Sequence, residues 1–478
     1  MPAKRRIVAT GARVVTGVVV GALAVVVAGA ALVVPLPTVT ATPASFTVDP
    51  APAEEVRACT GPLVRLSDDT GQDATAISSV GAAQVVAAAD QAGVALDQSV
   101  LASPDDRAAS EATAPARIGL PAEASTGQTL FGAAQSQTVA SGDLVGFAST
   151  SCGEAGADSW LVSGATTVGR TSFVFLSNPG DVPAVVDLTI YGDQGLVESP
   201  GAKNIDVPAR STRILSLAGL APDLGDPVIH VVASVGAVYA AVQQSVVRGL
   251  EPGGVEMAGP TTAPATSQTL AGVQIAGTSA IAERLGDPDA SDLQSVLRLF
   301  VPGTDPAAVT VRIAEEKSGG AQTEYQVGLT PGVVTEFPLQ DIPDGIYSIT
   351  TESDQPIVIG ARTSTVVNGA NDFAWYQAVE PLEPSFFVAT ADGPNPRLHL
   401  VNTSGADVAV TMTTPSGVQT SVTIVPGTRY VPLESGAAYA VTTSAPLSAA
   451  VTYFGEGFSS SYPISRPSPA AAPVVVYP

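Results

Sequence analysis

The chain has 478 residues, of which 45% are hydrophobic, 14% charged and 5% aromatic, with 46 Gly and 39 Pro; this mixture favours many short strands over long helices and suffices for about three domains. With 44 acidic against 21 basic residues the net charge is −23, which disfavours a nucleic-acid partner, since such binding needs Lys and Arg to displace counterions. Two His and two Cys in the whole chain leave most metal-site and His-dependent chemistry without raw material, so no metal, cofactor or catalytic residue is expected.

A basic tail over residues 1–13, carrying Lys4, Arg5, Arg6 and Arg13, precedes an uncharged run of Val, Ala, Leu and Gly over 14–34. That run is long enough to cross the hydrocarbon layer and longer than the hydrophobic part of most cleavable signals. It predicts a single transmembrane helix in the cytoplasmic membrane. The positive-inside rule puts the N-terminus in the cytoplasm and the bulk outside. The competing reading is cleavage after Val39-Thr40-Ala41, which would release a secreted chain. Residues 35–57, rich in Pro, Ala and Thr, read as an extended spacer. Both cysteines, Cys59 and Cys152, fall in the exported part; there a disulfide is expected, against the competing reading of two buried thiols.

Residues 58–155 read as an N-terminal region, partly disordered with strands, with a short helix around 79–91 and clear alternation only from Thr129 onwards. Beyond Cys152 the chain repeats itself. Three segments open with a strand ending in a turn at Asn178, Pro302 and Asn402. Each continues with one apolar face, carried by Val186/Leu188/Ile190, Val309/Val311/Ile313 and Val408/Val410/Met412. Breaks follow at Pro208, Pro331 and Pro426, then two further strands separated near Gly236, Pro356 and Pro446, then a glycine turn. Short alternating strands punctuated in this way predict antiparallel sandwiches. The expected architecture is all-β: tandem immunoglobulin-like sandwich units at 156–257, 271–380 and 385–467 after the transmembrane helix. Residues 259–268 and 380–384 serve as linkers, and 468–478 form a Pro-rich tail whose VVVY could add an edge strand. A β-propeller is a minor alternative, because it would want more, shorter and near-identical blades.

Chemistry is sparse. His230 and His399 read as solvent-face strand residues, and there is no Gly-x-Ser-x-Gly elbow to supply a nucleophile. Ser-x-x-Lys is excluded by Pro200 and Ala314 three residues before Lys203 and Lys317. Asp287-Pro-Asp289-Ala-Ser291 opens like a calcium loop, but Asp292 replaces the turn glycine and Arg298 the bidentate Glu, so it reads as an acidic loop. Asp68/Asp69, Asp105/Asp106 and Glu315/Glu316 read as solvated loop charge. Aromatic residues gather late in the second and third units, and Trp375, Tyr376 and Phe458 are the candidate contacts for a glycan or protein partner, with core filling as the competing reading. Asn402-Thr403-Ser404 matches the N-glycosylation pattern.

The basic start, the Cys59-Thr-Gly-Pro opening, Cys152 followed by Trp160, and then FLSNPG, the VPA break and the VVAS strand together resemble a family of actinobacterial cell-envelope proteins, anchored or secreted, known only as a domain of unknown function. The resemblance spans residues 58–465 and rests on structural punctuation, so it brings no catalytic residue with it. The family's association with large membrane glycosyltransferases implies a role in surface glycan assembly. The expected function is therefore a non-enzymatic, membrane-anchored extracytoplasmic scaffold or binding protein of the envelope. The alternative is a carbohydrate-binding or glycan-assembly accessory protein, and the expected partners are the membrane and envelope glycan or envelope proteins.

Overall fold

Alternation with a period of two sorts every repeat into two antiparallel sheets, seen in a computed structural model of the protein. It describes residues 53–66, 75–124 and 129–466 except positions 288, 318, 319, 368 and 456, together with Val19, Ala22 and two short terminal strands. Those strands, Phe46–Val48 and Val474–Val476, pair antiparallel and form a unit of their own. Val474–Val476 of the VVVY tail is thus a strand, in a two-stranded sheet whose other strand comes from the stretch expected to be an extended spacer. The remaining unit is 51–472. Among the described residues no helix is long and apolar enough to cross a membrane; the expected anchor at 14–34 lies outside them apart from Val19 and Ala22.

In each repeat one sheet is built in the same order. The first has Ser211–Ser216, Arg170–Asn178, Tyr239–Arg248 and Glu251–Ala258 side by side. The second has Thr335–Pro338, Val296–Phe300, Gly345–Val367 and Ala370–Gln377, and the third Gly427–Pro432, Arg397–Asn402, Ser448–Gly455 and Phe458–Pro463. A second sheet, built on Ala184–Gly192, Ala307–Glu315 or Val408–Thr413, faces it. Between the two lie the cores: Val174, Leu176, Leu188 and Val231 in the first repeat, Leu297, Leu299, Val311 and Ile349 in the second, Leu398, Leu400, Val410 and Val441 in the third. The two strands before each glycine turn do not pair with one another but enter opposite sheets. In the second repeat they are one continuous strand, Gly345–Val367, whose first half pairs in one sheet and second half in the other.

The repeated turns rest on side chains. Asn178 donates its amide to the carbonyls of Val182 and Val207 and accepts from the Gly180 amide; Asn402 does the same with Ala406, Ile424 and Ser404. At 2% exposure with both amide hydrogens engaged, Asn402 cannot serve as a glycan acceptor. The sequon is a turn device.

The N-terminal region corrects the expected helix. Residues Gln84–Ala89 are a strand pairing with Phe131–Ser141, which in turn pairs with Leu144–Ser151; cross-strand pairing overrides the helical preference of the alanines. Cys59 and Cys152 are bonded and buried in a small core with Ile118, Leu120 and Phe131. Segment 61–64 is held by glutamines acting as substitute backbone. Gln135 bonds both polar groups of Gly61, Gln243 both of Val64, and Gln137 accepts from the Leu63 amide. The expected linker at 259–268 is also corrected, since the strand Ala265–Ile275 begins inside it and Thr261 donates to the Ile359 carbonyl at 2.9 Å.

Candidate functional site

Four strands of the same rank in four sheets meet. We label them β1 (Leu144–Ser151), β2 (Glu251–Ala258), β3 (Ala370–Gln377) and β4 (Phe458–Pro463). Each is the second arm of a hairpin and the last strand of its sheet; each packs on its neighbours in the closed order β1, β2, β3, β4, and β2 also meets β4 across the ring. The repeats are therefore gathered round an axis instead of strung in a line, which brings the arrangement nearer to the propeller alternative than a linear tandem would.

The axis is polar. Glu256 on β2 is fully buried; it accepts from the Met257 amide at 2.9 Å and from Ser460 Oγ on β4 at 2.8 Å. Ser460 in turn meets Ser149 on β1, with 2.8 Å between hydroxyls. Asp372 on β3 accepts from the Ser459 amide at 3.1 Å. Its other oxygen lies where a Cβ on Gly254 would collide with it, and Gly254 has φ +109°; only glycine satisfies both the space and the backbone there. Burial pushes both carboxyls well above the usual range. For Glu256 the Met257 amide and Ser460 oppose this and the Asp372 charge adds to it; for Asp372 the amides of Ser459, Phe373, Phe147 and Val255 oppose it. Buried carboxyls whose protonated form burial favours, and which cross-link inner strands, are structural staples.

At one end of the axis the starts of β1 to β4 line an open cavity of about 700 Å³. Its wall includes Val145, Glu251, Asn371 and Phe458 from the four hairpins, plus Arg284 from the helix Thr278–Arg284 and Asp287 beyond it. Arg284 donates to Asn371 Oδ1 and to Glu251 Oε2, each at 3.1 Å. Phe458 is half-buried, tilted against Phe147 with ring centroids 6.2 Å apart.

The three expected aromatic contacts therefore separate. Trp375 and Tyr376, each 1% exposed, offer no face to a glycan or partner. Trp375 packs with Phe373, Val246 and Ala258 of the neighbouring sheet, donates to Gln244 Oε1 at 2.7 Å and lies beneath the Arg298 guanidinium; Tyr376 joins its own repeat's core. The physical reason is that β3 is covered on both faces, so alternation no longer distinguishes core from solvent. Phe458 alone reaches the cavity.

The same double covering corrects His399, which is fully buried against the second repeat, bonded to Glu316 at 2.7 Å and Thr452 at 2.8 Å. Glu316 is thus an interior partner, not solvated charge. His230 keeps part of its surface, stacks on Trp160 at 4.0 Å and meets Asp158. Asp105 and Asp106 are also structural: Asp105 accepts from Arg213, and Asp106 from the amides of Ser79 and Ala108. Asp68 and Asp69 lie outside the described residues. In the acidic loop, Asp292 binds Arg170, Arg248 and Arg362. Burial works against its ionisation, but Arg362, Arg248 and Arg170 overcome that and hold it down at about 2. Among the described residues no group of three His, Cys, Asp or Glu is placed to hold a metal.

Sequence reasoning missed Glu256, Asp372, Asn371 and Arg284. The available signal was a charged or amide residue interrupting GGVEM and NDFAW in the strand after a hairpin turn; for Arg284 the sequence holds no comparable signal.

Fold and axis define an all-β protein of sandwich-like repeats with a shared polar centre. The chain belongs to a family of unknown function, DUF5719, whose profile matches residues 107–444. A search of curated proteins finds no relative that matches. The matched span covers β1 to β3 and stops short of Cys59 and β4.

Proposed function

We propose that the protein is a membrane-anchored, extracytoplasmic scaffold or binding protein of a bacterial cell envelope, held in the cytoplasmic membrane through residues 14–34 and without catalysis of its own. The observation that carries this reading is the interlocking of four sheets into one body in which the buried acids Glu256, Asp372, Asp292 and Glu316, with His399, hold strands together. The disulfide between the only two cysteines supports an oxidising compartment, and the basic residues before the apolar run support the orientation. Actinobacterial origin and work alongside envelope glycosyltransferases belong to the same proposal and rest on the sequence resemblance. The carbohydrate-binding alternative loses Trp375 and Tyr376 but keeps Phe458 at the cavity.

Protease added to intact cells should digest everything beyond the anchor, while the undigested chain sediments with membranes until detergent is added. Protection from the protease, or recovery of the chain from the medium, would overturn the reading.

A further inference from the structure

We propose that the cavity at the end of the axis is a binding site for a neutral carbohydrate chain, with Phe458, Asn371, Arg284 and Glu251 as its contacts. The site is assembled from all four sheets, because its wall takes residues from the start of each of β1 to β4. Its volume of about 700 Å³ falls in the ~300–1,000 Å³ range of small-ligand sites.

The lining selects the class of ligand. Among the described residues of the wall Glu251 and Asp287 outnumber Arg284, so a phosphate, sulfate or carboxylate ligand meets an excess of like charge. A bare cation finds only the single carboxylate of Asp287 uncompensated, because Arg284 is paired with Glu251. What remains is a wall of planar polar side chains, of which Arg284, Asn371 and Glu251 form one connected network. Arg284 uses one nitrogen on Asn371 and another on Glu251, which leaves the Asn371 amide hydrogens as donors beside the carboxylate acceptors of Glu251 and Asp287. Alternating donors and acceptors match a ligand made of hydroxyls, each of which both donates and accepts. The half-buried ring of Phe458, with Val145, Pro252 and Val366, supplies an apolar wall for the C–H face of a sugar. Side chains tied to one another in this way lose little freedom on binding, so the site is pre-organised.

This rests on the carbohydrate-binding alternative and deepens it by naming the site and the class of ligand. Its test uses purified protein, so it can fail without bearing on cellular location. The full chain in detergent is run through native gels containing dextran, mannan, xylan, pullulan or galactan, with dextran sulfate and soluble spermine as charged comparators. The expected result is retardation by at least one neutral polysaccharide, unaffected by spermine and weakened about ten-fold in Asn371→Ala and Arg284→Gln, as loss of a hydrogen-bonding partner predicts. Melting temperatures near that of the parent protein exclude misfolding. Phe458→Tyr should keep the retardation and Phe458→Ala lose it; if the alanine variant does not fold, the two polar variants still decide. Mobility unchanged in every neutral gel, retardation only by dextran sulfate, displacement by spermine, or undiminished binding in both polar variants would each overturn the assignment.

Discussion

Glu256 and Asp372 are acids in places where an ionised carboxylate is costly, and Asp292 is one where ionisation is favoured, so the three respond to pH with opposite signs. For the axial pair the folded state keeps its protons to higher pH than the unfolded chain does. Below about pH 4 both states are protonated and the pair adds no pH dependence; above it the unfolded chain releases protons first, and stability falls as pH rises until the folded carboxyls ionise too. Glu256→Gln should therefore melt like the parent near pH 4 and a few degrees higher at pH 8; parallel melting curves from pH 4 to 9 would refute this. Asp292 has its folded value depressed to about 2, so its contribution is complete above the unfolded value of about 4 and is lost as pH falls towards 2. Asp292→Asn leaves Arg248 and Arg362 buried without their anion and should cost about 3–5 kcal/mol in urea unfolding at neutral pH. That deficit should shrink in acid, and a deficit independent of pH would show that the charge is not what matters.

At the scale of elements, legibility depended on whether a strand had a solvent side. Val186/Leu188/Ile190 and its two counterparts lie in sheets with one outer face, and their alternation marked core residues correctly: all three sets are buried in their repeats' cores or beside them. The inner sheets have no such face. His399, Trp375 and Gln244 alternate in the same way but meet another repeat, and no local pattern records a partner 83 or 131 residues away. Arg284 and Asn371 likewise reach one cavity across 87 residues of chain. The disulfide was legible because only one pairing was possible. Its 93-residue separation corresponds to about 4–5 kcal/mol of loop entropy. Reduction, or a Cys59→Ser, Cys152→Ser double variant, should lower unfolding stability by about that amount. Amide exchange should accelerate first in Glu55–Cys59 and Ala116–Leu120, which share the disulfide's core; exchange rising first in the repeats would contradict it.

On the scale of the whole 51–472 unit, the repeats punctuate the sequence as separate domains but do not bury themselves as such. An isolated first repeat over 156–257 would uncover Glu256 and Gln244 together with Val246, all buried in the whole, and would lack Ala258 beside them. An isolated second repeat would strip Trp375 of its hydrogen-bond partner, Phe373 of its neighbours and Arg298 of the first-repeat carbonyls of Gly164, Gly225 and Pro227. Exposing one Trp and one Phe alone forfeits about 3–5 kcal/mol of burial, a large share of the ~5–15 kcal/mol by which domains are stable, and leaves the inner strands as unprotected apolar edges. Excised 156–257, 271–380 and 385–467 should therefore aggregate or populate loosely packed states without near-ultraviolet circular dichroism, although linear tandem units would each be soluble and native. The 51–472 chain should unfold in one dominant transition, with calorimetric and van't Hoff enthalpies in agreement. Three soluble, cooperatively melting fragments would show that the axis is a contact between finished domains rather than the centre of a single one.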